Sequence, residues 1–423
     1  MRTQLGFICL ALTGLGLISL AISQDQTFDS SFASDGTVLL EFAKAKFTPK
    51  VSVDTQGRIV LSGETQNKVQ TIARLLPNGQ LDSSFGKAGK LQLKQLGQVL
   101  VDSQSRVLVV QPKQILRFTV NGTLDSSYGQ KGVFTFPTGR QKTMFPMQKV
   151  ALNADGSVWA ALLERPRVKS ENSDNDDLNP LLIKITNQGR LDSSLGKAGF
   201  ASTNIDYPNV QIDALVPTPT GGAALVSSAY LNSPAGASTY QPPIWIHRFN
   251  QRGQLEPQQQ TEGFESLTCT NGGGVQYFGL RQDNTAVFMN HNSGDCSSGL
   301  RIWSLDTKNT VQKEFGASIP LSEPTFPPFS MPIVRSANGG IWLSQTLKKV
   351  IIWNDGGLVL HGVTSATIQM QKLTATGELN TVFGEKEIPN PFGLGYSLLE
   401  SKNNKILLVG LEQGAWSVKQ LAF

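Results

Sequence analysis

Leu81-Asp82-Ser83-Ser84-Phe85-Gly86-Lys87-Ala88-Gly89 decides the fold, because the chain repeats it. Near copies stand at Leu124-Asp125-Ser126-Ser127-Tyr128-Gly129-Gln130-Lys131-Gly132 and at Leu191-Asp192-Ser193-Ser194-Leu195-Gly196-Lys197-Ala198-Gly199. An earlier copy opens at Phe28-Asp29-Ser30-Ser31-Phe32 with Gly36. Weaker ones lie at Leu255 to Gly263, around Phe315-Gly316, and at Leu379-Asn380-Thr381-Val382-Phe383-Gly384. Seven units spaced roughly 50 to 60 residues apart match the period of propeller-type repeats.

Each unit carries the same strand pattern. After the first copy come Thr37 to Phe42, Val51 to Asp54, a Thr55-Gln56-Gly57 turn, Ile59 to Ser62, and Thr71 to Leu76 before Pro77-Asn78-Gly79. Turns recur at Asn153-Ala154-Asp155-Gly156, Thr220-Gly221-Gly222, Asn338-Gly339-Gly340 and Lys402-Asn403-Asn404. Short β-branched and aliphatic runs between Gly, Asn and Asp turns, with no helix-length amphipathic stretch, define an all-β repeat. Four strands per unit make each unit one blade, and the chain a single seven-bladed β-propeller of four-stranded blades. The first strand, Thr37 to Phe42, has no blade of its own. The last, Ser417 to Phe423, lacks a fourth partner. The two are expected to pair and close the ring, in a blade whose inner strands are Ser397 to Glu400 and Lys405 to Gly410, since an open ring would expose two unpaired edges.

Composition narrows the function class. Charged residues make up 16% of the 423-residue chain, hydrophobic residues 39%, and there are 41 glycines, which excludes disorder and coiled coil. The net charge of +5 is spread thinly and not gathered into a stripe, so nucleic acid is not an expected partner. Arg2, an apolar run from Leu5 to Ile22, and Ala21-Ile22-Ser23 read as a secretory leader over 1–23, cleaved between Ser23 and Gln24, with an uncleaved anchor as the rival. Residues 24–423 then form the propeller, periplasmic or secreted, without membrane insertion and expected to be a monomer. Cys9 leaves with the leader. Cys269 and Cys296 remain, placed by the strand pattern on one face, where a disulfide is expected. Zinc would require a better ligand set than these two cysteines and His247, His291 and His361.

A hairpin around D-x-x-G, a strand carrying Arg74 or Arg117 and leading to Asn78-Gly79 or Asn121-Gly122, and then L-D-x-S-F-G-x-x-G together resemble the bacterial delta-60 repeat. The resemblance covers nearly all of residues 24–423. It is strong at Asp29, Asp82, Asp125 and Asp192 and degrades at Glu256-Pro257, near Phe315 and at Asn380. It implies an exported or surface propeller and no catalytic residue. The motif has a structural use: Asp accepts backbone N–H bonds in a tight turn, the aromatic or Leu fills the space between blades, and glycines permit positive φ. The recurring cations Arg74, Arg117, Lys184, Arg248 and Lys372 are read as partners of the repeat's own Asp.

Length varies chiefly between the second and third strands, where long loops are read at Glu164 to Asn179, Leu231 to Pro243, Asn290 to Gly299 and Leu347 to Ala366. Variable loops on a rigid scaffold are where binding normally resides. Their candidate binding residues are Arg165, Arg167, Tyr240, His291, Asp295, Trp353 and His361. Trp159 and Trp342 are read as packing residues on second strands. Asp174, Asp176 and Asp177 sit in an oxygen-rich run that suits calcium, but it lacks the glycine and glutamate of an EF-hand loop, and a solvated acidic loop is the better reading. No other cofactor is indicated. The expected function is an exported, non-enzymatic binding module for a protein or saccharide. The alternative is a propeller hydrolase, lyase or lactonase whose residues come from several blades.

Overall fold

The computed structural model describes residues 28–33, 35–40, 50–65, 67–95, 97–137, 147–164, 179–203, 210–229, 244–256, 275–292, 299–317, 334–335, 341–343, 347–353, 355–363, 367–392, 396–401, 405–412 and 415–421. The protein is a seven-bladed β-propeller of antiparallel sheets, with no α-helix among the described residues. Strands are lettered A to D within a blade. Blade 1 comprises Lys50–Val53, Ile59–Glu64, Gln70–Leu75 and Lys90–Leu93. Blade 2 comprises Gln98–Val101, Val107–Gln111, Gln114–Phe118 and Val133–Thr135, and blade 3 Lys149–Leu152, Val158–Glu164, Asn179–Ile185 and Ala201–Ser202. In blade 4 the described strands are Val210–Pro217, Ala223–Ala229 and Ile244–Phe249. A strands of successive blades touch one another, so they line the central axis.

Alternation along each strand makes the ring cohere. In blade 1, Ile59, Leu61, Ala73 and Leu75 face blade 7 and pack with Leu407, Val409, Trp416 and Val418. Their neighbours Val60 and Ile72 face the other way and pack, with Phe85, against Val99, Val107, Val109 and Phe118 of blade 2. Both faces of every blade are thus buried, which is why the B and C strands read as continuous apolar runs. Seven such clusters lie between adjacent blades, and each fully buried Leu, Ile, Val or Phe contributes about 1.5–3 kcal/mol.

The repeated motif clasps one blade to the next. In the turn between strands C and D, Asp82 accepts hydrogen bonds from the Ser84 N–H and hydroxyl at 3.1 and 2.6 Å. Arg74, on strand C and 1% exposed, donates through Nε to Asp82 at 2.8 Å and stacks over Phe85 at 4.5 Å. It then reaches into blade 2 and donates to the Val120 carbonyl, while the Gly86 N–H donates to the Asn121 carbonyl at 2.9 Å. Blade 2 repeats the set on blade 3: Arg117 pairs with Asp125 at 2.8 Å, covers Tyr128 at 4.4 Å and donates to the Asn187 carbonyl, while the Gly129 N–H donates to Gln188. Burial pushes the Asp82 and Asp125 carboxyls up, but the serine hydrogen bonds and the guanidinium outweigh it and hold both below the usual range.

Other blades replace parts of the clasp. Lys184 lies over Trp159, confirming Trp159 as packing. Arg248 donates to Asn309 and Asn284 of blade 5. Lys372 pairs with Asp355 at 2.5 Å and not with the repeat's own position, which is Asn380. The expected cation–Asp pairing therefore holds for Arg74 and Arg117. Arg281, before strand B of blade 5, reaches the Gly356 carbonyl at 2.8 Å and lies 5.5 Å from the Phe315 ring, so the cation enters from a different strand.

Closure follows the expected pairing. Thr37–Leu40 is the D strand of blade 7, whose other strands are Tyr396–Glu400, Ile406–Glu412 and Ala415–Gln420. Thr37 stands opposite Lys419, and Leu40 opposite Trp416. Phe28 bridges Leu421, Lys419 donates to the Thr37 hydroxyl at 3.0 Å, and Lys405 pairs with Asp29.

Two local readings are corrected. The stretch 347–366 is not one loop but strands A and B of blade 6, Leu347–Ile352 and Leu358–Val363, which continue into Thr367–Leu373 and Glu385–Pro389. The Asp355-Gly356-Gly357 turn separates two apolar runs that pair antiparallel. Trp342 is not on a second strand: Ile341–Leu343 pairs with the C strand of blade 5 and carries Val334–Arg335 outside it. Blade 5, with Val275–Leu280, Ala286–Asn292 and Gly299–Leu305, accordingly holds five described strands.

The clasp makes a stability prediction. Gly189 sits at φ +74°, and a Cβ there would lie 2.6 Å from the Gly129 nitrogen and 2.8 Å from the Tyr128 ring. Gly384 has a similar φ of +65°, but its Cβ would meet nothing nearer than 3.9 Å. Both alanine substitutions incur the left-handed backbone cost of ~1–2 kcal/mol. Gly189→Ala should lose more, by a margin of about 1–3 kcal/mol from overpacking the blade interface, as read from denaturant midpoints.

Candidate functional site

An antiparallel blade sends its A–B and C–D connections to one face and its B–C and D–A connections to the other. The clasps occupy the first face. On the second, the B–C connection is only Pro112-Lys113 in blade 2 and 413–414 in blade 7, but spans 165–178 in blade 3 and 230–243 in blade 4. The D–A connections flanking blade 3 are also extended, at 136–148 and 203–209. The longest B–C connections are therefore those of blades 3 and 4.

The sequence-derived candidates fare unevenly against this geometry. Arg165, Arg167, Tyr240, Asp295, Asp174, Asp176, Asp177 and the Cys269–Cys296 pair lie outside the described residues, as does the 1–23 leader. His291 is on strand B of blade 5, opposite Leu300. Trp353 and His361 are not in a B–C connection. Trp353 opens the A–B turn of blade 6, on the clasp face, is 6% exposed and lies under Lys372. His361 is on strand B, 3% exposed, and hydrogen bonds with Tyr396 of blade 7, ring against ring at 89°. Burial pushes the Tyr396 hydroxyl above its ordinary range. These two side chains join blades 6 and 7 and present nothing to solvent. Among the described residues no group of three or more His, Cys, Asp or Glu is arranged around a metal position.

The geometry assembles a different group beneath the elaborated sector. Strand A of blade 4, Val210–Pro217, pairs with strand B through a register shift between Ile212 and Ala214. That bulge takes Asp213 out of the ladder. Asp213 Oδ1 accepts from Gln211 Nε2 at 2.9 Å, and the same amide nitrogen donates to Ser228 Oγ at 3.0 Å. Asp213 Oδ2 is enclosed, and the Ser228 hydroxyl is the carboxyl's other hydrogen-bonding neighbour. Burial pushes the carboxyl up to about 6, with Ser228, the Lys149 charge and Gln211 offsetting part of the rise. Lys149 begins strand A of blade 3, at the same end of the propeller. On strand C of the same blade, opposite Leu225, His247 is pushed down to about 4 by burial.

Sequence reading missed this group. Its one signal was a lone carboxylate inside an otherwise apolar strand, Val210-Gln211-Ile212-Asp213-Ala214-Leu215-Val216, and strict alternation hides the bulge that positions it. The contributions of Lys149 and Ser228 come from separate strands and have no local signature.

Comparison with known proteins agrees with the architecture. Residues 57–85 match a family described as a domain of unknown function (DUF5122) beta-propeller. No curated protein matches the sequence. The crystal structure of the polysaccharide lyase Uly1 is similar at a TM-score of 0.51 and 8% identity, covering 90% of each chain. The WD40 domain of Toxoplasma gondii coronin is similar at 0.45 and 8%, covering 91% of this chain and 84% of that one. XC5397 of Xanthomonas campestris, a gluconolactonase, gives 0.33 and 12%, covering 92% of each. At such identities the likeness to Uly1 shows the propeller fold alone. The chain is thus a seven-bladed propeller with a short DUF5122-type segment in its first blade.

The raised Asp213 pKa carries a sign that can be checked. The unfolded carboxyl ionises near 3.8, the folded one near 6, so the folded state binds the extra proton in between and stability falls as pH rises through that window. Asp213→Asn removes the ionisation. Its melting temperature should exceed that of the parent by about 2 °C or more at pH ~8 and match it at pH ~4, by scanning calorimetry.

Proposed function

We propose that the protein is an exported delta-60-type propeller that acts as a non-enzymatic binding scaffold, engaging a protein or saccharide through the connections over blades 3 and 4. The observation that supports this reading is the division of labour between the faces. The repeat's Asp, Arg, aromatic and Gly residues are consumed in clasps such as Arg74–Asp82–Phe85, while chain length is spent on the opposite face at 165–178 and 230–243. Connections on a rigid scaffold are where binding normally resides. Export follows from the 1–23 leader, with Gln24 as the first mature residue and Cys269 bridged to Cys296. The alternative, a propeller hydrolase, lyase or lactonase, draws support from the titration of Asp213 near neutrality.

The test trims 165–178 and 230–243 to two-residue turns of the Pro112-Lys113 kind. Melting should change by no more than about 3 °C, since the described inter-blade cores join every pair of neighbouring blades, and capture on saccharide and protein arrays should fall about tenfold or more. Undiminished capture by the trimmed protein, or release of new reducing ends from an arrayed saccharide by the parent, counts against the scaffold reading.

A further inference from the structure

We propose that the clasp face of the propeller is a peripheral docking surface for an anionic lipid bilayer, contacted by the leucines that open the repeat motif and by the cations beside them. The inference rests on the export reading and adds the surface against which the exported protein is held.

The leucines form a ring. In six blades the residue that opens the motif, Leu81 in blade 1 and Leu379 in blade 6, bridges the end of its own C strand six residues back. Phe28 takes the equivalent place in blade 7, against Leu421. Equal register sets these side chains at equal depth around the axis, so they lie at one level. Leu81, Leu124, Leu255 and Leu379 are 40–48% exposed, and Val382, three residues beyond the last, is almost wholly so. A single exposed leucine needs no explanation, but leucines that a repeat returns to one exposed level make a surface.

Cations accompany them. A Cβ at Gly89 would lie 3.1 Å from Leu81, and one at Gly199 3.1 Å from Leu191. Each leucine thus lies across the glycine that ends its turn, two residues from the exposed Lys87 or Lys197. Lys131, Arg190 and Arg252 are exposed in the C–D connections of blades 2 to 4. The described carboxylates of these connections are buried or half-buried and belong to the clasps. Asp82 and Asp125 pair with Arg74 and Arg117, while Asp192 and Glu256 are held backbone to backbone against Lys184 and Arg248. In the A–B turns of blades 1 and 2, Asp54 pairs with Arg58 and Asp102 with Arg106. The fold therefore gathers charges scattered along the chain into a positive sector over blades 1 to 4, whereas the exposed Glu314, Asp355 and Glu385 lie over blades 5 and 6.

A bilayer uses both features. Anionic headgroups attract the cations, and apolar side chains at one level enter the boundary between headgroups and acyl chains. A soluble polyanion would engage the cations and leave the leucines idle. The chain also leads to this face. The apolar run of the leader ends at Ile22, and five residues separate it from Phe28, a reach of about 20 Å at full extension. With the leader in the bilayer during export, the clasp face is held toward the membrane and the long B–C connections of blades 3 and 4 point away from it.

The test uses the chain from Gln24 onward, which contains every described strand. Its probes are vesicles of phosphatidylcholine alone and of phosphatidylcholine with about 30% phosphatidylglycerol. Sedimentation should show binding to the anionic vesicles about tenfold or more tighter than to the neutral ones, weakening as salt is raised. The triple variants Lys87→Glu/Lys131→Glu/Lys197→Glu and Leu81→Ser/Leu124→Ser/Leu255→Ser should each lose about tenfold or more while melting cooperatively. Leu124→Trp, a single change, should show quenching by brominated phosphatidylglycerol beyond that of the parent. Equal binding to both vesicle types, no added quenching in Leu124→Trp, or undiminished binding in the leucine variant overturns the proposal. Equal retention of the parent and the leucine variant on dextran sulfate, without vesicle binding, gives the cations to a soluble polyanion and overturns it. A dimer of the parent that the leucine variant dissolves gives the face to a second copy and overturns it too. Absence of vesicle binding, alongside array capture that trimming 165–178 and 230–243 abolishes, removes the docking surface and leaves the scaffold reading standing. Vesicle binding by a protein whose array capture survives that trimming upholds the docking surface and overturns the scaffold reading.

Discussion

The propeller depends on a buried guanidinium that serves two blades at once. Arg74 balances its charge within blade 1, against Asp82 at 2.8 Å, and spends its remaining N–H groups on Ser84 and on the Val120 carbonyl of blade 2. Such a pair repays its desolvation only when each donor and acceptor is met, and removing one partner strands the other at a cost of about 3–5 kcal/mol. The clasp meets that demand by construction: serine covers one carboxylate oxygen, arginine the other, and an aromatic ring packs under the guanidinium. The next blade's glycine then seats on the ring, since a Cβ at Gly122 would approach Phe85 within 3.1 Å.

Because the clasp joins neighbours, each blade's position is set by the one before it, and a ring is the only arrangement in which none is left over. The terminal strand exchange solves the remaining problem. Phe32 of the N-terminal segment packs into the blade 7–blade 1 cluster, and its neighbour Ala33 donates to the Asn78 carbonyl at 2.7 Å, as Gly86 does to Asn121. The N-terminal segment therefore supplies both the last strand of blade 7 and the clasp onto blade 1. Loss of that segment removes an edge and a clasp together.

What was legible in the sequence follows from these constraints. The Asp-Ser-Ser-aromatic-Gly turn needs fixed residues at fixed offsets, so the repeat, the architecture and the closing strands could be read from one copy outward. Where the clasp changes its chemistry, reading failed. The cation of blade 5 comes from Arg281, ahead of strand B, and blade 6 pairs Lys372 with Asp355, so the pattern that anchors the frame weakened there. With the frame loose, Leu347–Ile352 and Leu358–Val363 passed for a loop, and Trp353 and His361 for exposed residues. Both side chains fill inter-blade space that stronger clasps fill with repeat residues.

The candidate site was illegible for a different reason. A clasp is local in sequence, with Arg74 and Asp82 eight residues apart, and so it leaves a motif. The Asp213 group draws on residues from 149 to 228 and depends on a bulge, a backbone irregularity with no residue signature of its own. Both follow from the same architecture. Clasping fixes the outer turns and the faces of the B and C strands, because those surfaces must fit the next blade. The A strands line the axis, and strand A of blade 4 carries its bulge there while Ile212 and Leu215 still pack against blade 3. Irregular backbone and a largely buried carboxylate are tolerated on that strand without breaking the inter-blade cluster, so chemistry that the repeat does not need has its place on the innermost strand.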